Sequence, residues 1–359
     1  MNKFERIRAA LNLEETDRVP ANLWYHMSGI DHDPKALAEA LVFNNEKYDF
    51  DFIKLMPFGL YSVQDWGVKV RYYNTAGNPP EVEDYAIHTI KDWSRIEPLP
   101  VKCGTWGETL KLAQYVEKLA GGKTPFVQTI FSPLTTAQKL AGDRILMDMK
   151  EDPGLFKQAL QAITDTTIDF VKANIEAGVS GFFFATRCAN HGYMTEEDYK
   201  VFGEYFDLQV INAYKDKTFF NIVHIHGEHG MFSLIEKYPV SCINWHDRWT
   251  PPTLAEARKL SGKCFLGGLR EVPYYSEDGE VIAPSILNSG SAAEIEKHVN
   301  EAIEQLNGRG LIIGPGCGAD EFVPEENIHA IRRAADYKYS KKHAASFEFG
   351  ISSADAIQM

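Results

Sequence analysis

The chain has 359 residues, 44% of them hydrophobic and 24% charged, with a net charge of -13. That composition builds a large core and excludes a disordered chain, and the acidic balance without a basic run argues against nucleic acid as a partner. No apolar stretch reaches membrane-spanning length, the start at Met1 reads as an amphipathic helix rather than a secretion signal, and five scattered cysteines without a CxxC pair suit free thiols in a reducing cytoplasm.

Eight short apolar runs follow one another at 19–24, 50–56, 125–131, 181–185, 219–225, 242–245, 264–269 and 310–313. Most are β-branched or aromatic and lack polar alternation, the mark of strands covered on both faces in a parallel sheet. Apolar residues recur at helical spacing over 110–119, 153–177, 196–214, 231–238, 254–260 and 292–306. Thr195 before Glu196, Glu197 and Asp198 has the form of a helix start. Eight strands alternating with helices predict one α/β domain over residues 1–342, a (β/α)8 TIM barrel with extra N-terminal helices. Two segments exceed a minimal barrel: 66–104, with Gly77-Asn78-Pro79-Pro80, and 270–290, with Glu277-Asp278-Gly279. Both are read as excursions at the barrel mouth. The tail, 343–359, has weak periodicity; it is expected to pack on a neighbour, as in a homodimer, or to remain loose.

In such a barrel, chemistry gathers at the carboxyl ends of the strands. The first run ends in Trp24-Tyr25-His26, the third passes through Gln128, and the fourth ends near Arg187. The fifth ends in His224-Ile225-His226-Gly227-Glu228, the sixth in Trp245-His246-Asp247, and the seventh in Leu269-Arg270. The eighth runs into Gly314-Pro315-Gly316-Cys317-Gly318. His224 and His226 alternate onto one strand face, where two imidazoles either grip a metal or line a hydrogen-bonded pocket. With Cys317 reaching inward they make a three-ligand zinc set with the fourth position open. His246 and Asp247 are read as proton-transfer groups or as part of a rim ion pair with Arg248. Glu228 is read as an acceptor behind a ligating imidazole, or as an exposed first-turn residue. Arg187 and Arg270 would hold a carboxylate or sulfonate, or form structural salt bridges. Trp24, Tyr25, His26, Gln128 and Trp245 would line the substrate pocket, against a reading of plain packing for the aromatics.

The stretch Glu5-Arg6-Ile7-Arg8-Ala9-Ala10-Leu11, followed by Asp17-Arg18-Val19-Pro20, resembles the start of the uroporphyrinogen decarboxylase superfamily. Residues 48–54, the His224 strand, Gly267-Gly268-Leu269 and Gly314-Pro315-Gly316-Cys317 continue the resemblance over most of the chain. It implies the barrel fold and two branches. The porphyrin decarboxylases carry an arginine-rich motif near the first strand, where this chain has Asn22-Leu23-Trp24-Tyr25-His26-Met27-Ser28-Gly29. The zinc methyltransferases carry His-x-Cys on strand five and Cys after strand eight. His224 matches the first ligand and Cys317 the last, while His226 stands where that branch has cysteine. A second imidazole lowers the negative charge on the zinc, making a bound thiolate less nucleophilic and the metal a stronger Lewis acid.

The resemblance therefore implies a zinc methyltransferase that moves a methyl group between a corrinoid (methylcobamide), carried on a partner protein, and a small acceptor such as a thiol or folate. The alternatives are a metal-free decarboxylase or lyase and a non-catalytic corrinoid-binding barrel.

Overall fold

The computed structural model describes residues 1–276 and 278–336, so the tail expected at 343–359 lies outside the described residues. In chain order the strands are β1 (Ile53–Lys54), β2 (Lys69–Arg71), β3 (Glu81–Asp84), β4 (Phe126–Phe131), β5 (Gly181–Thr186), β6 (Ile222–Ile225), β7 (Cys242–Asn244), β8 (Cys264–Leu269), β9 (Tyr274–Tyr275), β10 (Val281–Ala283) and β11 (Leu311–Pro315). Seven of them form one parallel sheet in the order β1-β4-β5-β6-β7-β8-β11. Helices separate these strands, among them Gly104–Ala120, Pro153–Glu176, Tyr205–Tyr214, Leu254–Leu260 and Ala292–Gln305. The run predicted as one helix over 196–214 is broken by a π-helical turn at Lys200–Glu204.

The run at 19–24 is not a regular strand, yet it closes the ring. Ala21 bridges Ile313 in parallel. Asn22 donates its backbone N–H to the Ile313 carbonyl at 2.9 Å, Ile313 donates to the Pro20 carbonyl at 2.8 Å, and Asp51 donates to the Ala21 carbonyl at 3.0 Å. The segment thus sits between β11 and the chain entering β1 as the eighth stave. Pro20 has no N–H for a ladder, which is one reason the pairing is short. The molecule is a (β/α)8 barrel.

Side chains alternate along the staves, so one set fills the barrel and the other packs under the helices. Trp24, Val127, Phe183, Ile222, Cys242, Cys264, Leu266 and Ile312 belong to the interior cluster. Phe126, Ile130, Val223, Ile225, Ile243 and Phe265 belong to the outer core. Gly314 is required by this packing, because a Cβ there would lie 2.8 Å from both Leu266 Cδ1 and Trp24 Cζ3.

Both long segments are excursions. The first holds the antiparallel hairpin β2–β3 and the second the hairpin β9–β10. Gly77 in the first donates its N–H to Glu321 Oε2, beyond β11, at 2.8 Å. Among the described residues, Pro34–Lys47, Pro133–Ala141, Ile145–Glu151, Ile286–Ser289 and Glu325–Ala334 are helices outside the runs of helical spacing read from the sequence.

The N-terminal helix Lys3–Leu11 is capped by Asn2, with Glu5 completing the capping box. It is fastened to the closure point through Asp51. That carboxylate, 0% exposed, accepts from Arg6 Nη1 at 2.7 Å and Arg18 Nη1 at 2.6 Å. It also accepts the Ala21 N–H at 2.8 Å. Removing it leaves Arg6 Nη1, Arg18 Nη1 and the Ala21 N–H without their acceptor, although Arg6 keeps Asp17 and Arg18 keeps Asp49. Asp51→Ala is therefore expected to lower the free energy of unfolding by about 3–5 kcal/mol. Urea denaturation of the two proteins measures this, and a loss below about 1 kcal/mol, the range of exposed ion pairs, contradicts it.

Candidate active site

β6 carries Ile222 into the interior, and alternation brings His224 and then His226 inward above it. β7 does the same with Cys242, Asn244 and, just past its end, His246. Three imidazoles therefore meet at the carboxyl end of the barrel. Their ring centroids are 5.7 Å (His224–His226), 5.8 Å (His224–His246) and 5.2 Å (His226–His246) apart. One nitrogen from each lies within 4.8 Å of the others.

Hydrogen bonds fix which nitrogens face the cluster. Asn244 Nδ2 donates to the Leu266 carbonyl at 2.7 Å and the Pro315 carbonyl at 3.1 Å. Its oxygen must then face His224, so His224 Nδ1 is the donor at 2.7 Å and Nε2 keeps its lone pair. In the same way, His246 Nδ1 donates to Glu271 Oε1 at 2.5 Å. Glu271 is anchored in turn by the Gly316 N–H on its second oxygen at 3.1 Å. Both Nε2 atoms are buried and have no hydrogen-bond partner. Burial first, then the facing imidazoles of His226 and His246, hold His224 well below its ordinary pKa. Burial, with His246, Arg187 and Lys139 adding to it, brings His226 down to about 3. His224 and His226 are therefore neutral at physiological pH, the state in which imidazole binds a metal. Imidazoles backed by an amide and a carboxylate, with unshared lone pairs converging, are a donor set suited to zinc. Cys317 Sγ lies 3.7 Å from His226 Nδ1. Burial, followed by Glu271, pushes its thiol pKa up.

His224 and His226 open onto a cavity of about 290 Å³. Trp24, His26, Arg187, His224, His226 and Cys317 line it, as do Lys54 and Lys139, which the sequence reading missed. Phe183 stacks on His224 with ring centroids 5.2 Å apart, and Lys54 Nζ stands 4.2 Å from the Phe183 ring centroid. Lys139 Nζ donates to the Gly59 carbonyl and sits 3.2 Å from the Phe131 ring centroid. Burial brings both amines down to about 7. None of the described residues lining the cavity is acidic.

Other residues singled out in the sequence lie elsewhere. Alternation turns Gln128 to the outer face of β4, where Nε2 donates to the Thr129 carbonyl, and turns Thr129 inward. Tyr25 points outward and accepts from Asn44 Nδ2 at 2.9 Å. Trp245 packs between Phe232 and Phe265 and donates its indole N–H to the Pro252 carbonyl. Asp247 accepts the Gly268 N–H at 2.9 Å, and burial raises its pKa to about 7. Arg270 lies over Tyr274 and donates to the Pro273 carbonyl, bracing the second excursion. Glu228 is exposed, 3.9 Å from His229. Two supporting residues were missed. Asn244 was detectable, since it shares the inward parity of His246; Glu271 stands next to Arg270 and gave no pattern of its own.

The model of the uroporphyrinogen decarboxylase (URO-D) family matches residues 2–337. The chain is 19% identical over 354 residues to methylcobamide:CoM methyltransferase MtbA of Methanosarcina acetivorans, covering 93% of this chain and 98% of that one. It is 26% identical over 233 residues to methylcobamide:CoM methyltransferase MtaA of Methanosarcina barkeri, covering 64% and 63%. Among solved structures, a methyltransferase from Methanosarcina mazei superposes with a TM-score of 0.77 at 19% identity, covering 94% of this chain and 99% of that one. A B12-independent methionine synthase from Shewanella sp. W3-18-1 gives a TM-score of 0.55 at 13% identity, covering 91% and 95%. With a family model spanning nearly every described residue and the barrel that the opening motifs implied, the chain belongs to the uroporphyrinogen decarboxylase family.

Proposed function

We propose that the protein is a zinc-dependent methyltransferase that moves a methyl group between a corrinoid on a carrier protein and a small anionic acceptor, a thiol first among them. The observation that carries the reading is the pair of buried, unpartnered Nε2 atoms of His224 and His246, each set by a hydrogen bond on the far side of its ring. The relatives named for transfer between methylcobamide and CoM support the reaction class. His224, His226 and His246 are the residues that would hold the ion, with Cys317 beside His226 as a further donor. Held by these residues, a zinc ion would supply the positive charge that lowers the pKa of a bound thiol toward neutral pH.

The rest is done by the chain's own side chains. Lys54, Lys139 and Arg187 face a cavity without lining carboxylates, and they attract and seat the acid group of the acceptor. Trp24, Phe131 and Phe183 exclude water around it and leave the reacting end against the imidazoles. A volume of about 290 Å³ suits a small acceptor, at the low end of ligand sites. The corrinoid, far larger, would present its methyl group at the mouth. The cationic wall also suits the second reading, a decarboxylase acting on a carboxylate substrate without metal. That reading requires activity indifferent to chelators.

Protein purified without chelator is expected to contain about one zinc per chain, with the metal lost in His224→Ala and in His246→Ala. Glu271→Ala should weaken zinc binding about 10–100-fold, the usual effect of removing a carboxylate behind a ligating histidine. Competition titration with a chromophoric chelator measures both. Demethylation of methylcobalamin by mercaptoethanesulfonate, followed by absorbance, tests the reaction. Full activity in metal-free protein contradicts the proposal. Arg187→Ala should raise KM for mercaptoethanesulfonate about tenfold or more and leave KM for uncharged mercaptoethanol within about twofold, since a charge-assisted hydrogen bond contributes about 1.5–3 kcal/mol.

A further inference from the structure

We infer that His26, positioned by the buried carboxylate of Asp31, accepts the proton that the acceptor loses when it binds as an anion. The inference rests on the methyl-transfer reading only in taking the acceptor to be a thiol. It assigns work to a pair that neither metal binding nor acid-group recognition uses.

Four observations place the pair. His26 lines the same cavity as His224, His226 and Cys317, and its side chain is 39% exposed. Its Nδ1 is buried and lies 3.7 Å from Asp31 Oδ2. The Asp31 side chain is 0% exposed, and neither oxygen has a hydrogen-bond partner. The ring edge bearing Cδ2, the carbon bonded to Nε2, lies against Gly318, the residue after Cys317. A carboxylate removed from water without donors is costly unless a cation or donor faces it. The groups facing Asp31 within ion-pair range are His26 and, 3.7 Å from Oδ1, His32. Other charged or titratable groups near the pair are Tyr72, whose ring packs on His32 and which feels the Asp31 charge, Glu321, reached through the Ser28 N–H, and Lys54 and Cys317 in the cavity wall.

Asp31 therefore favours the tautomer with its proton on Nδ1, leaving the Nε2 lone pair toward the cavity. It then stabilises the imidazolium formed when that lone pair is protonated. The distance is longer than a hydrogen bond, as such pairs often are before substrate tightens them. The step is a proton transfer: the acceptor's S–H bond breaks, an N–H bond forms at His26 Nε2, and the electron pair stays on sulfur. Asp31 is a positioning residue; His26 is the group that touches the acceptor.

The experiment is calorimetric titration of the zinc-loaded protein with mercaptoethanesulfonate at pH 7, in two buffers of different ionisation enthalpy. The difference between buffers counts protons released to solvent. The wild type is expected to release close to none, because His26 keeps the thiol proton. His26→Gln, checked to hold the same zinc, is expected to release about one, because an uncharged thiol that binds as thiolate must lose its proton elsewhere. Asp31→Asn should move toward the His26→Gln value. In turnover, His26→Gln should lose about 10²-fold or more at neutral pH, and recover as pH rises and the free thiol ionises unaided. One proton released by the wild type, or equal counts in wild type and His26→Gln, overturns the inference. Proton retention without demethylation of methylcobalamin removes the methyl-transfer reading and leaves the pair standing; no thiol binding at all removes both.

Discussion

One buried side-chain amide constrains the whole site. Asn244 has two donors on one nitrogen, and both are taken by carbonyls, of Leu266 on β8 and Pro315 on β11. Its oxygen is left for His224 on β6. A single side chain therefore ties together the ends of three staves besides its own and decides the tautomer of the central imidazole. Glu271 repeats the arrangement one stave further on, holding His246 with one oxygen and the turn before Cys317 with the other. Neither arrangement makes sense as packing alone. Each leaves a polar nitrogen buried without a partner, a cost of about 1–3 kcal/mol that a metal ion would remove.

The charge pattern of the cavity follows from the same economy of polar groups. The chain as a whole is acidic, yet its cavity presents the buried Lys54, the half-buried Lys139 and an arginine with no lining carboxylate. The lysines are held by aromatic faces and a backbone carbonyl rather than by salt bridges. Their countercharge is left for a ligand to bring. The proposed anionic acceptor would bring that countercharge, and the proposed metal ion would take up the unshared lone pairs of His224 and His246.

The barrel was legible because strand runs covered on both faces are continuous and apolar, and seven of the eight formed the sheet. The first did not become a regular strand, since Pro20 interrupts its donors, but it closes the ring where the sequence placed it. Helices Pro34–Lys47 and Glu325–Ala334 were missed although Asp33-Pro34 and Pro324-Glu325 carry start signals; their apolar spacing alone did not stand out. At the site, strict alternation decides which of two neighbours faces the cavity. Trp24 and His26 face the cavity and Tyr25 does not; Thr129 does and Gln128 does not. His246 was noticed, but Asp247 and Arg248 beside it drew a proton-transfer reading, and only the fold brings its ring within 5.2 Å of His226. Lys139 sits in the helix Pro133–Ala141, and no local pattern marks it as facing a cavity.

The central claim is that His224, His226 and His246 share one cation. Crystals of the zinc-loaded protein, measured on both sides of the zinc absorption edge, test it most directly. A single anomalous peak within about 2.0–2.1 Å of His224 Nε2, His246 Nε2 and a His226 nitrogen is the predicted result. No peak among the three rings, with His224 and His246 bonded instead to ordered water, would contradict it.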